Sequence, residues 1–116
     1  MSNWFNYDIV DLPTLETVWK RLEKPLIVHF HNESVPLSNQ ALSFLSPIAD
    51  SLKTSDKILF MNFKVNSDRE HVMMTDYKVF KYPTIISYDY GKESGRLGNI
   101  DEIEQHLKSF ILNKLG

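Results

Sequence analysis

Apolar positions along the chain fall into two rhythms: short dense runs, and longer stretches where they recur every three or four residues. Phe5 to Val10 alternates loosely and reads as a first strand. Asp11-Leu12-Pro13-Thr14 has the form of a helix start, with Asp11 as N-cap and proline early enough to be tolerated. Leu15, Val18, Trp19 and Leu22 follow at helical spacing, the mark of a buried face, and Glu16 stands one turn before Lys20. Lys24-Pro25 stops this helix, because the residue before proline is driven out of the α region.

Leu26 to Phe30 is apolar on both faces, as in a strand covered by helices on each side. Alternation puts His29 and His31 on one face and Val28 and Phe30 on the other. A polar loop, Asn32 to Leu37, leads into a long helix with the stripe Ser38, Ala41, Leu42, Leu45, Ile48, Ala49 and Leu52. Pro47 inside it predicts a kink near Ser43, whose carbonyl loses its donor. After a turn at Thr54-Ser55-Asp56, Lys57 to Val65 is another strand apolar on both sides.

Asn66-Ser67-Asp68 offers N-caps to a helix over Arg69 to Tyr77. A strand follows from Ile85 to Tyr90, and Asp89-Tyr90-Gly91-Lys92 predicts a hairpin turn into Glu93 to Leu97, with glycine where φ is positive. Gly98 breaks that strand. The last helix is capped by Asn99 with Glu102 at the capping-box position, and buries Ile100, Ile103, Leu107, Phe110, Ile111 and Leu115. The order is β-α-β-α-β-α-β-β-α: an α/β protein.

At 116 residues the chain makes a single domain, 1–116, and folding buries roughly 65% of the surface exposed when unfolded. A net charge of −2, with scattered Lys and Arg, gives no footprint for nucleic acid or an acidic membrane. No apolar run approaches the ~20 residues of a membrane span, and the first residues lack a basic n-region and an apolar core, so a cytoplasmic protein is expected. There is no cysteine, which removes disulfides, thiolate nucleophiles and thiolate-bound metals together.

Several separated points resemble the thioredoxin-like family. Lys24-Pro25-Leu26-Ile27-Val28-His29-Phe30 is similar to its Lys-Pro-Val-Leu-Val-Asp-Phe strand, and Ile48-Ala49-Asp50 to a segment of its long helix. Tyr82-Pro83-Thr84 resembles the Ile-Pro-Thr that carries its cis-proline, and Leu97-Gly98 the Val-Gly before its last helix. The resemblance implies a three-layer α/β/α sandwich with a central mixed sheet. It also implies that the loop at Pro83 offers backbone groups to an extended peptide beside the Val35 loop.

Where that family has Trp-Cys-Gly-Pro-Cys, this chain has Ser34-Val35-Pro36-Leu37-Ser38. The attacking cysteine aligns with Val35 and the resolving one with Ser38. The family's buried acid aligns with His29, and its loop tryptophan with His31. Thiol–disulfide exchange needs a thiolate and a leaving sulfur, so the chain is not expected to be an oxidoreductase, whatever its fold.

Two other chemistries have candidate residues at the same junction. His29, His31 and Glu33 form His-x-His-x-Glu, two imidazoles and a carboxylate, enough for a divalent metal shell if they converge. The chain turns after His31, however, so Glu33 is free to diverge, and no metal or other cofactor is expected. Ser34 or Ser38 beside His31 suggests a hydrolase, but no orienting group accompanies them, and Ser38 reads more simply as capping or lining the helix start. The expected function is therefore a redox-inactive binding or scaffold module for a protein or peptide, a monomer or weak homodimer. The alternative is a metal- or Ser/His-dependent enzyme using His29, His31 and Ser38. A third possibility is a regulatory subunit whose contact lies elsewhere. The expected contact face is Ser34, Val35, Pro36, Leu37 and Ser38 with Tyr82, Pro83, Gly98 and Asn99. Tyr82 is expected to be exposed there, whereas Trp4, Phe5 and Tyr7 are expected to cover the sheet edge or meet a second copy.

Overall fold

The computed structural model describes residues 3–115. The strands are β1 (Trp4–Asp8), β2 (Leu26–Asn32), β3 (Leu59–Val65), β4 (Thr84–Asp89) and β5 (Lys92–Leu97). The helices are α1 (Leu12–Trp19), α2 (Pro36–Ser51), α3 (Glu70–Asp76) and α4 (Ile100–Leu115). They follow in the expected order. The sheet order is β1-β3-β2-β4-β5, with β1 and β2 parallel to β3, and β4 antiparallel to both β2 and β5.

β2 lies at the centre and is buried at every one of its 7 residues. Leu26, Val28 and Phe30 join Phe63, Leu12 and Trp19 of α1 and Met73 of α3 in one core. Ile27 joins Phe60, Ile85, Ala41, Leu45 and Ala49 of α2 and Ile103, Leu107 and Ile111 of α4 in the other. The molecule is thus a three-layer α/β/α sandwich. Its first core contains an aromatic cluster: the centre of the Phe63 ring lies 5.6 Å from that of Tyr7, 5.9 Å from Trp19 and 6.1 Å from Phe30.

Several element ends differ from the sequence reading, each for a local reason. β1 stops at Asp8 because its carboxylate accepts from Val10 N (3.0 Å) and starts a 3-10 turn, Ile9–Asp11. Asp11 therefore makes no side-chain cap to α1. α1 turns Leu12 and Trp19 inward and leaves Val18 half exposed. α2 begins at Pro36, whose missing N–H is no loss in a first turn, and runs through Pro47 as one element. Asn66 makes no side-chain cap; another 3-10 turn, Ser67–Arg69, precedes α3. Met73 packs in the core, while Met74 points out.

The β4–β5 hairpin turns on Tyr90 (φ 53°) and Gly91 (φ 78°), both left-handed, the pairing a two-residue hairpin demands. A Cβ on Gly91 would stand 2.8 Å from Lys20 Cγ, so this position excludes side chains twice over. Asn99 Oδ1 caps α4 by accepting from Glu102 N (2.9 Å), but Glu102 reaches back to Gly98 N (2.9 Å). Arg96 is a fastening the sequence did not reveal. It grips Glu93 with two bonds of 2.7 Å and donates to the carbonyls of Tyr77 (3.0 Å) and Lys78 (2.7 Å), tying the end of α3 to β5. The chain leaves α3 through Lys78 at φ 58°.

Truncating Phe63 to alanine removes a ring touching three aromatic neighbours and should cost about 3–5 kcal/mol. Truncating the largely exposed Phe80 should change stability by less than about 0.5 kcal/mol. Urea unfolding of the two variants, Phe63→Ala and Phe80→Ala, checks the contrast.

Candidate functional site

The junction between β2 and α2 is built by Asn32. Its carbonyl accepts from Val35 N (2.9 Å) and its side-chain oxygen from Ser34 N (3.0 Å), closing a tight turn over residues 32–35. Its side-chain amide donates to Glu70 at the start of α3, and its backbone N–H donates to Ser38 Oγ (3.2 Å). Ser38 is fully buried. It does not cap α2: Val35 occupies the N-cap position without a side-chain bond, and the Ser38 hydroxyl holds the strand end instead.

Strand register brings the expected contact face together. Phe30 stands opposite Thr84 and Ile85 opposite Leu97, so Pro83 and Gly98 lie at the sheet end where the 32–35 turn lies. The Tyr82–Pro83 peptide bond is cis. Leu37 is 42% exposed, Ser34 and Pro36 are exposed, and Val35 is half-buried. Pro83 is buried, Gly98 is half-buried with open space beside it, and Asn99 is committed to capping α4. Tyr82 departs from expectation. It packs against the α1/α3 core with its hydroxyl buried, and burial together with the charge of Glu70 pushes that hydroxyl up to about 12.

The exposed aromatic is Phe80, two residues earlier and 64% exposed. With Lys78, Lys81, Thr84, Arg96 and Gly98 it lines an open groove of about 300 Å³ that contains cations and no acid. The sequence signal was present: an aromatic between two lysines, outside any periodic stripe.

The histidines point inward. His29 is completely buried, and its Nδ1 meets Asn62 Oδ1 at 2.7 Å, so this nitrogen carries the proton. Asn62 in turn donates to Asn6 Oδ1 (3.2 Å), making a polar row across β2, β3 and β1. His31 lies edge-on to His29 with ring centres 5.5 Å apart. Burial, outweighing the Asn62 bond and assisted by the neighbouring His31, lowers His29 to about 4. Burial also lowers His31, partly countered by Glu33 and by a hydrogen bond that its ring donates to the Asn39 side chain. Glu33 itself pairs with Lys64 at 2.9 Å on the surface.

Glu33 is directed to Lys64 rather than toward His29 and His31, and no cluster of three metal-binding side chains occurs among the described residues. Ser38 Oγ accepts from Asn32 N, and His29 Nδ1 is bonded to Asn62, so each of these two side chains has a partner other than the other.

No protein-family model and no curated protein matches the sequence. Solved structures do match. Fasciola hepatica thioredoxin superposes with a TM-score of 0.68 at 20% identity, over 92% of this chain and 94% of that one. Malassezia sympodialis thioredoxin gives 0.72 at 16% identity, over 95% and 90% of the two chains. Schistosoma mansoni thioredoxin gives 0.62 at 20% identity, over 92% and 97%. The chain has the thioredoxin fold. It has that fold without a single cysteine.

The buried His29 sets a pH dependence. Below pH 6.5 the unfolded chain takes a proton that the folded chain refuses until about pH 4. Stability present above pH 6.5 is therefore lost as pH falls, by about 1.4 kcal/mol per pH unit for each excluded proton. Urea unfolding across this range should show that slope, and His29→Gln should flatten it.

Proposed function

We propose that this chain is a redox-inactive thioredoxin-fold module that binds an extended protein segment at the sheet end formed by the 34–38 turn, Pro83 and Gly98. One observation carries the reading: at this junction Ser38, His29 and Asn32 are turned inward while apolar groups face out. Ser38, His29 and Asn32 are buried and bonded within the fold, whereas Leu37 and Phe80 stand exposed. A surface of that kind suits contact better than catalysis. The groove beside Phe80 narrows the partner, since Lys78 and Lys81 line it, the third cation, Arg96, being paired with Glu93. The fitting segment is extended, carries acidic residues and offers an apolar side chain to Phe80. The reading includes the cytoplasmic setting expected from the sequence.

A peptide array of extended twelve-residue sequences, probed with wild type, Val35→Asp, Phe80→Ser and Lys81→Glu, tests this. Wild type should select acidic sequences with a central apolar residue, and each variant should bind them at least about tenfold more weakly. Selection of the same sequences with equal strength by all four proteins, or of none by wild type, overturns the reading.

A further inference from the structure

The two edges of the sheet are treated differently. β5 carries Lys92, Glu93 and Arg96, and the β4–β5 pairing is irregular between Ser87 and Tyr88, devices that discourage another strand from adding. β1, with the sequence Trp4-Phe5-Asn6-Tyr7-Asp8, contains no lysine, arginine or proline, and its pairing with β3 runs without a register shift. Among the described residues β1 has a strand neighbour on one side only.

Which backbone groups face outward follows from the ladder. Phe60 N–H donates to the Asn3 carbonyl (2.9 Å), and Phe5 is registered on Met61. Alternate residues of a parallel strand turn both backbone groups to the same side, so Asn3, Phe5 and Tyr7 face β3 and Asn6 faces away. The side chains add a symmetry. About Asn6 the strand reads the same in both directions as aromatic–Asn–aromatic, Phe5 and Tyr7 lying on one face with ring centres 6.4 Å apart. Phe5 is 38% exposed, and Asn6 is exposed.

We propose that β1 is a homodimer edge, pairing antiparallel with β1 of a second copy about a two-fold axis at Asn6. The outward N–H and C=O of Asn6 then exchange two bonds with those of Asn6 in the second copy. Phe5 of each copy stands against Tyr7 of the other as a non-hydrogen-bonded pair, the closer kind of cross-strand contact. Asp8, the strand's one charged side chain, faces Trp4 of the other copy rather than another acid. Self-complementarity is what a two-fold interface requires, and it is why the occupant is a second copy and not an unrelated strand. The contact is short, so the dimer is weak, with a dissociation constant on the order of 100 µM. The edge lies apart from the groove at Phe80, so this proposal and the binding reading stand or fall separately.

The absence of cysteine makes the test clean. Paired Asn6 residues have Cα atoms about 5.5 Å apart, within disulfide reach. Under mild oxidation at high protein concentration, Asn6→Cys should form a covalent dimer at least about tenfold faster than Glu93→Cys on the opposite edge. Wild type should sediment increasingly as a dimer between about 10 µM and 1 mM, and Phe5→Glu should weaken this at least about tenfold. Equal cross-linking of the two cysteine variants, or monomeric wild type throughout that range, overturns the proposal; a monomer that instead pairs β1 with added peptide strands does so as well.

Discussion

A strand buried along all 7 of its residues cannot leave polar groups to water, and β2 ends in His29, His31 and Asn32. Their partners shape what surrounds them. His29 requires Asn62 on the neighbouring strand, and Asn62 reaches Asn6 on the strand beyond, so a polar row crosses an otherwise apolar layer. Asn32 requires Glu70, Ser34 and Ser38, and in meeting them fixes the turn, the start of α2 and the approach of α3. A buried imidazole with one nitrogen bonded and the other, Nε2, unpartnered stays neutral, and so its folded pKa falls.

This inward bonding also decides what the junction presents. In the thioredoxin fold a strand end, a helix start and a proline loop meet at one end of the sheet, and all three meet here. Ser38 holds the strand end through Asn32, and Val35, at the start of α2, offers only hydrocarbon. The apolar side chains left outside, Leu37 and Phe80, and the cations beside Phe80 form the surface from which a binding role is argued.

Most of the fold was legible in the sequence because periodicity reports burial directly. The doubly apolar runs 26–30 and 57–65 became the central strands, and the stripe of α4 fell on its buried face, with Ile103, Leu107 and Ile111 innermost. What stayed hidden were particular side-chain contacts, some local and some between residues distant in sequence. Asp8 rather than Asp11 turns the chain into α1, Arg96 closes the end of α3, and Tyr82 folds inward while Phe80 does not; none of these leaves a periodic trace. Asn32 was the recoverable omission, since an asparagine between a strand and a helix is a common turn former. Strand order places 34–38, Pro83 and Gly98 at one end of the sheet, but the bond of His29 to Asn62, and that of Asn62 to Asn6, needed the register.

The central claim is that the junction's polar position, Ser38, is sealed inward while its apolar position, Val35, stays partly exposed. Alkylation rates of two single-cysteine proteins, Ser38→Cys and Val35→Cys, test it directly against a background with no other thiol. The account predicts that the thiol at position 35 reacts readily and the one at position 38 more slowly by about a hundredfold or more, since access there waits on local opening. Equal rates in two folded proteins would contradict it.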